Sequence, residues 1–213
     1  MNSSRISSFA AFAACAASFI VTVSACGSGQ DTPSASTSSS LTSSTVDVST
    51  ASTTETATAA GTCPTAAPQG GGAPEWTLPG ATGSVAVTGS TDTTAPSVKV
   101  DGRFSVTETQ VHTLRAGEGA VVADTATVSV CYMGVNGRDG TVFDSSYEQG
   151  APVDFPLDRV VPGFQKAIAG QKVGSTVAVA MTSADGYPEG QPSAGIQQGD
   201  TLVFAIKILS AST

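Results

Sequence analysis

The chain has 213 residues, few aromatic side chains (6%) and a net charge of −8. That length allows one ordinary domain plus additional segments, and nine scattered Lys and Arg exclude a phosphate-binding nucleic-acid surface, which needs clustered cations. Four cysteines without a CxxC spacing and a single histidine, His112, exclude a structural zinc site, so neither metal nor cofactor is expected.

In chain order, the first segment is a leader. Met1–Ser8 holds one charge, Arg5; Phe9–Val23 is an apolar run; Ser24 and Ala25 are small and precede Cys26. Charged start, apolar middle and small cleavage site define a secretory leader over 1–25, and the run falls short of the roughly 20 residues of a membrane-spanning helix. Val23-Ser24-Ala25-Cys26-Gly27 resembles a bacterial lipobox. In such sequences cleavage precedes the cysteine and its sulfur carries a diacylglycerol. Cys26 is therefore the expected lipid attachment site, with ordinary cleavage to a free thiol as the other reading. The expected location is the outer face of a bacterial cytoplasmic membrane, held through lipid alone, or secretion if no lipid is added.

Residues 26–75 follow as a tether. Ser and Thr dominate it up to Thr62, with Leu41, Val46 and Val48 as its only large apolar residues, and Pro and Gly dominate from Pro64. Such a segment buries too little apolar surface to offset its ordering entropy. Trp76 is expected to pack on the domain that begins there and continues to residue 213.

The domain reads as strands with one short helix. Val85–Thr88, Val98–Val106 and Gln110–Leu114 are weaker strand candidates. Val128, Val130 and Tyr132 alternate with Thr127, Ser129 and Cys131; Val177, Val179 and Met181 alternate with smaller residues; Leu202, Phe204, Ile206 and Ile208 alternate with Val203, Ala205 and Lys207. Period two places one face on a core and the other toward water. Between these strands, Val160–Gly170 has Pro162 near a helix start and Gly170 at its end, with Phe164, Ala167 and Ile168 on one face. The expected class is α+β, a mostly antiparallel sheet packed on one short helix around a single core.

Val130-Cys131-Tyr132-Met133-Gly134 and Asp139-Gly140-Thr141-Val142-Phe143-Asp144-Ser145-Ser146, then Val160-Val161-Pro162-Gly163-Phe164 and Lys172-Val173-Gly174-Ser175, then Asp185-Gly186-Tyr187 and Thr201-Leu202-Val203-Phe204, resemble an FKBP-type peptidyl-prolyl isomerase domain in order and spacing across 109–210. The resemblance implies an FKBP-like antiparallel sheet curled around a short helix. It also implies an aromatic pocket between them: Phe164 as floor, Tyr132, Phe143 and Phe204 as sides, Val160 and Val161 on the wall, and Asp144 and Tyr187 as polar members. By the same analogy Asp144 accepts a hydrogen bond from Tyr132, and the Tyr187 hydroxyl is free to donate to a substrate carbonyl.

Compared with the family pattern, Phe164 stands where Trp is found in the best-studied members. Val153 replaces an aromatic often found in the Pro152–Phe155 strand. Gln149 replaces an Arg that pairs with the Asp, Pro188 follows Tyr187 in place of Gly, and the turn at Asp158-Arg159 is short. The implied activity is cis–trans isomerisation of X–Pro bonds in unfolded, exported polypeptides, by a monomer that macrolides inhibit. An FKBP-fold chaperone or binding module with little turnover is the alternative.

Processing leaves Cys63 and Cys131 besides Cys26. Cys131 precedes Tyr132, so it faces away from the pocket, and exported proteins keep disulfides. A Cys63–Cys131 bridge strapping the linker across the outer face of the sheet is the expectation; two free thiols is the other possibility.

Overall fold

The structure, a computed structural model, describes residues 61–68 and 72–212. The leader, Cys26 and most of the tether lie outside the described residues. Two antiparallel sheets form the frame. The small one has order β1-β2-β3, from β1 (Trp76–Pro79), β2 (Thr82–Thr88) and β3 (Ser97–Ser105). The large one has order β4-β8-β9-β5-β6, from β4 (Gln110–Arg115), β5 (Thr127–Asn136), β6 (Val142–Ser145), β8 (Thr176–Met181) and β9 (Leu202–Ser212). A sixth strand, β7 (Val153–Pro156), pairs with the first half of β5 while β6 pairs with its second half. A one-turn helix α1 (Ser146–Gln149) follows β6, and α2 (Pro162–Ile168) crosses the concave face of the sheet.

The strongest alternating segments form the centre of the sheet. Val128, Val130 and Tyr132 of β5, Val177, Val179 and Met181 of β8, and Leu202, Phe204, Ile206 and Ile208 of β9 share one buried cluster with Phe164, Ala167 and Ile168 of α2. Pro162 occupies the first turn of α2, where its missing N–H costs nothing. Gly163 lets that turn sit close, since a Cβ there would lie 2.8 Å from Met181 Cβ.

Two expectations are corrected. The second face of the central strands does not meet water: β8 is buried at all six positions. Nor is there one core. Ala178, Ala180, Val203 and Ala205 make a shallow back face on which Val85, Val87 and Phe104 of the small sheet close a second cluster. Alanines on alternate positions carry little periodic signal, yet they let a neighbouring sheet approach closely. The edges of the two sheets are joined by the stack of Trp76 on His112, with centroids 5.5 Å apart and planes 6° from parallel, and by the Glu75–Arg115 pair at 3.4 Å.

A third, smaller cluster lies at the bridge. Cys63 and Cys131 are bonded, S–S 2.01 Å, and are 2% and 1% exposed beside Tyr147 and Ala95. The Cys63 N–H donates to Gly150 O (3.3 Å), and Ala95 N–H donates to Ala66 O (2.8 Å). The folded unit therefore includes the residues around Cys63, ahead of the expected boundary at Trp76.

Candidate active site

Five rings from five separate stretches of chain meet over the concave face. Phe164, from α2, is at the centre, with centroids 6.0 Å from Tyr132 (β5), 5.7 Å from Phe155 (β7) and 5.5 Å from Phe204 (β9), all edge-to-face. Phe143 (β6) meets Phe204 edge-on at 5.5 Å. Edge-to-face pairs set positive ring edges against negative faces, so the cluster is held by more than area alone. Gly134 makes room for it: a Cβ there would lie 2.6 Å from Phe143 Cζ and 2.8 Å from a Phe204 ring carbon.

The rings do not fill the space they enclose. A cleft of about 400 Å³ remains, lined by Tyr132, Phe143, Asp144, Val160, Val161, Phe164, Tyr187 and Phe204, the eight residues expected from the sequence, and by two more, Phe155 and Arg159. Phe155 answers the apparent loss at Val153. The two residues are alternate positions of β7 and share its inner face, so the aromatic wall is displaced by one pleat instead of lost. Period two applied from Val153 would have found it. Arg159 closes a single 3₁₀ turn, Leu157–Arg159, directly before Val160; nothing in the apolar pattern marked it.

Polar groups are few, and two of them, Tyr132 and Asp144, engage each other. The Tyr132 hydroxyl donates to Asp144 Oδ2 at 2.5 Å. Burial, the Asp144 bond and charge, and Tyr187 nearby raise the Tyr132 pKa far above the usual tyrosine value, so it stays protonated as a donor. Its backbone is fixed by Ser146 Oγ, which accepts from Tyr132 N–H at 2.9 Å and donates to Tyr132 O at 3.4 Å. With Gln149 in place of the family's arginine, Asp144 has Tyr132 as its hydrogen-bond partner and no cation in ion-pair distance among the described residues.

Tyr187 stands on the loop between β8 and β9, pinned at both ends. At its start, Asp185 accepts from Lys166 Nζ of α2 (2.8 Å) and from Thr109 Oγ1 (2.5 Å). Ser183 Oγ donates to Tyr187 O (3.1 Å) and accepts from Gly199 N–H (3.2 Å). At its end, buried Asp200 accepts from Asn136 Nδ2 (2.7 Å), Arg138 Nε (3.2 Å) and Gln197 N–H (2.8 Å). These anchors hold Tyr187 over the cleft on an otherwise irregular loop. The bridge at Cys63–Cys131 lies on the other face of β5, next to Tyr132 in sequence, and Ser146 Oγ is 3.5 Å from Cys63 Sγ.

Comparison with known proteins agrees with this arrangement. Residues 98–209 match the family of FKBP-type peptidyl-prolyl cis-trans isomerases. The FKBP-type 22 kDa peptidyl-prolyl cis-trans isomerase of Escherichia coli is 39% identical over 100 residues, covering 47% of this chain and 48% of that protein. The probable FK506-binding protein of Corynebacterium glutamicum is 40% identical over 96 residues, covering 45% and 80%. Outer membrane protein MIP of Legionella longbeachae is 35% identical over 101 residues, covering 47% and 43%. The chain thus spans about half the length of the first and third of these relatives. The family match takes in more than half of the chain, from β4 through most of β9 with every residue of the cleft, and the protein belongs to the FKBP-type peptidyl-prolyl cis-trans isomerase family.

Proposed function

We propose that this protein catalyses cis–trans isomerisation of X–Pro bonds in polypeptides outside the cytoplasm. The observation that carries the reading is the open, ring-walled cleft of about 400 Å³, with Phe164 as its floor. Rotation about an amide must surrender resonance, against a barrier of about 18–20 kcal/mol, and X–Pro bonds left alone take tens to hundreds of seconds. No bond is broken, so no nucleophile is required. In the twisted transition state the amide loses part of its charge separation. A dry apolar cleft therefore binds it better than the planar ground state, and that difference is catalysis. Phe143, Phe155 and Phe204 grip the proline ring, Val160 and Val161 close the wall, and the Tyr187 hydroxyl orients a substrate carbonyl. Tyr132, held by Asp144, completes the wall without offering a free charge.

The test is the exchange rate of a proline tetrapeptide, by NMR or protease coupling, with the full chain and with Phe143→Ala. Acceleration by the wild type, lost in the variant and blocked by a pocket-filling macrolide, is the expected result. Binding of unfolded protein without acceleration would instead assign the FKBP-fold chaperone or binding role.

Export and lipid anchoring at Cys26 belong to the same reading, supported by the 1–25 leader pattern and the lipobox-like Val23–Gly27. Several acyl chains would hold the protein stably, where one would not. Mass analysis of the mature amino terminus should find a diacylglyceryl cysteine, and Cys26→Ala should release the protein from membranes.

A further inference from the structure

We propose that Arg159 is a recognition subsite for a carboxylate side chain flanking the proline, so that the cleft selects acidic X–Pro or Pro–X segments. The inference rests on the cleft being the peptide-binding site and goes beyond it by naming the substrate class.

Three observations carry it. Arg159 is the one cationic residue lining a cleft whose other members are apolar or aromatic, apart from Asp144, which Tyr132 already engages. It is exposed, while the backbone that presents it is fixed: Leu157, two residues earlier, is fully buried and its N–H donates to Ala126 O at 3.0 Å. Finally, Arg159 has no carboxylate within ion-pair distance among the described residues; Lys99, Arg103, Lys172 and Lys207 are unpaired as well, but of these cations Arg159 alone lines the cleft. In a chain with 17 acidic and 9 basic side chains, carboxylates are plentiful, and Asp158 is adjacent in sequence. A guanidinium left without one at the mouth of the site is available to a ligand.

A guanidinium offers paired N–H donors matched to a carboxylate. The overall −8 charge repels acidic segments at long range, but ionic screening limits that field to about 8 Å in physiological salt. A contact pair at Arg159 is inside that distance and the rest of the surface is mostly outside it. Asp144, the other charged residue of the cleft, is engaged by Tyr132 and lies beyond ion-pair distance of Arg159, so it leaves the guanidinium free for an acidic neighbour of the proline.

The experiment uses the full chain and peptides of one sequence carrying Glu, Gln or Lys immediately before, or immediately after, the proline. NMR titration gives affinity whether or not the bond turns over, and exchange spectroscopy on the same samples gives the isomerisation rate. Absence of exchange with binding intact therefore refutes the isomerase reading alone. The wild type is expected to bind Glu over Gln by about two- to fivefold on one flank at low salt, the range of an exposed ion pair. The preference should vanish in Arg159→Gln, fade in high salt, and turn toward Lys in Arg159→Glu. Equal affinity for Glu and Gln peptides on both flanks, or a Glu preference that survives Arg159→Gln, overturns the proposal.

Discussion

The two faces of the large sheet are built from the same strands and do opposite things. On the concave face, β5, β8 and β9 present Tyr132, Phe204 and branched aliphatics to α2, and the rings leave a hollow. On the back face, β8 and β9 present Ala178, Ala180 and Ala205, and the small sheet closes over them with Val85, Val87 and Phe104. Large side chains that cannot fill their space make a site; small ones that let a second sheet approach make a foundation. The cleft can remain open because stability is supplied from behind it, an arrangement in which the strained or underpacked region is offset elsewhere.

The sharpest way to break this comparison is to cut one ring from each face. Phe104 is 2% exposed, and Phe104→Ala should cost about 3–5 kcal/mol of stability, seen as a lower denaturation midpoint, with isomerase rate retained below the transition. Phe143 is half-buried on the rim, so Phe143→Ala should cost much less stability while lowering kcat/KM by about 10–100-fold, equivalent to roughly 1.4–2.7 kcal/mol of transition-state binding. If the two variants lose stability alike, the division of labour between the faces is wrong.

The bridge is the next test. Cys63 and Cys131 are 68 positions apart, and closing a loop of that length constrains the unfolded chain by about 4 kcal/mol in the chain-entropy view. Reduction, or Cys63→Ala with Cys131→Ala, should lower the urea midpoint by a corresponding amount. Activity in native buffer should change little, since Ser146, not the sulfur, holds the Tyr132 backbone.

How much of this was legible in the sequence differs between the faces for a physical reason. Large alternating residues in β5, β8 and β9 announce a strand and its buried side together, and the helix announces itself through Pro162, Gly170 and the Phe164–Ala167–Ile168 spacing. All eight expected cleft residues follow from those patterns and the family resemblance. The back face was not legible, because Ala178, Ala180 and Ala205 read as the polar-side filler of a half-exposed strand. Only packing shows that the gap they leave is occupied. Phe155 was passed over because a family position was read literally at Val153, when a strand can place an aromatic two residues later on the same face. The loop anchors were hidden for another reason: Thr109, Lys166 and Asp185 are far apart in sequence, and side-chain bonds across such distances leave no periodic trace.

Those anchors give the smallest predicted effect, and the one that refines the comparison most, because Tyr187 reaches the cleft from the long loop between β8 and β9. Lys166, then Thr109, hold the Asp185 carboxyl below the usual carboxylate range. A group whose pKa is depressed on folding adds stability above its unfolded value and loses it as pH falls through the lower, folded value. The clamp is therefore intact at neutral pH and fades only once pH drops below the ordinary Asp value of 3.8. Asp185 and Lys166 are partly solvated, 22% and 56% exposed, so screening keeps the pair within about 0.2–1 kcal/mol. Asp185→Asn should leave the fold intact and raise KM about two- to threefold, with kcat nearly unchanged, because Tyr187 is less often poised over the substrate. The wild type is expected to show a rise in KM on acidification that Asp185→Asn removes, while Lys166→Gln should give an intermediate value. A variant whose loss lies in kcat alone would mean that Asp185 does not act by positioning the loop.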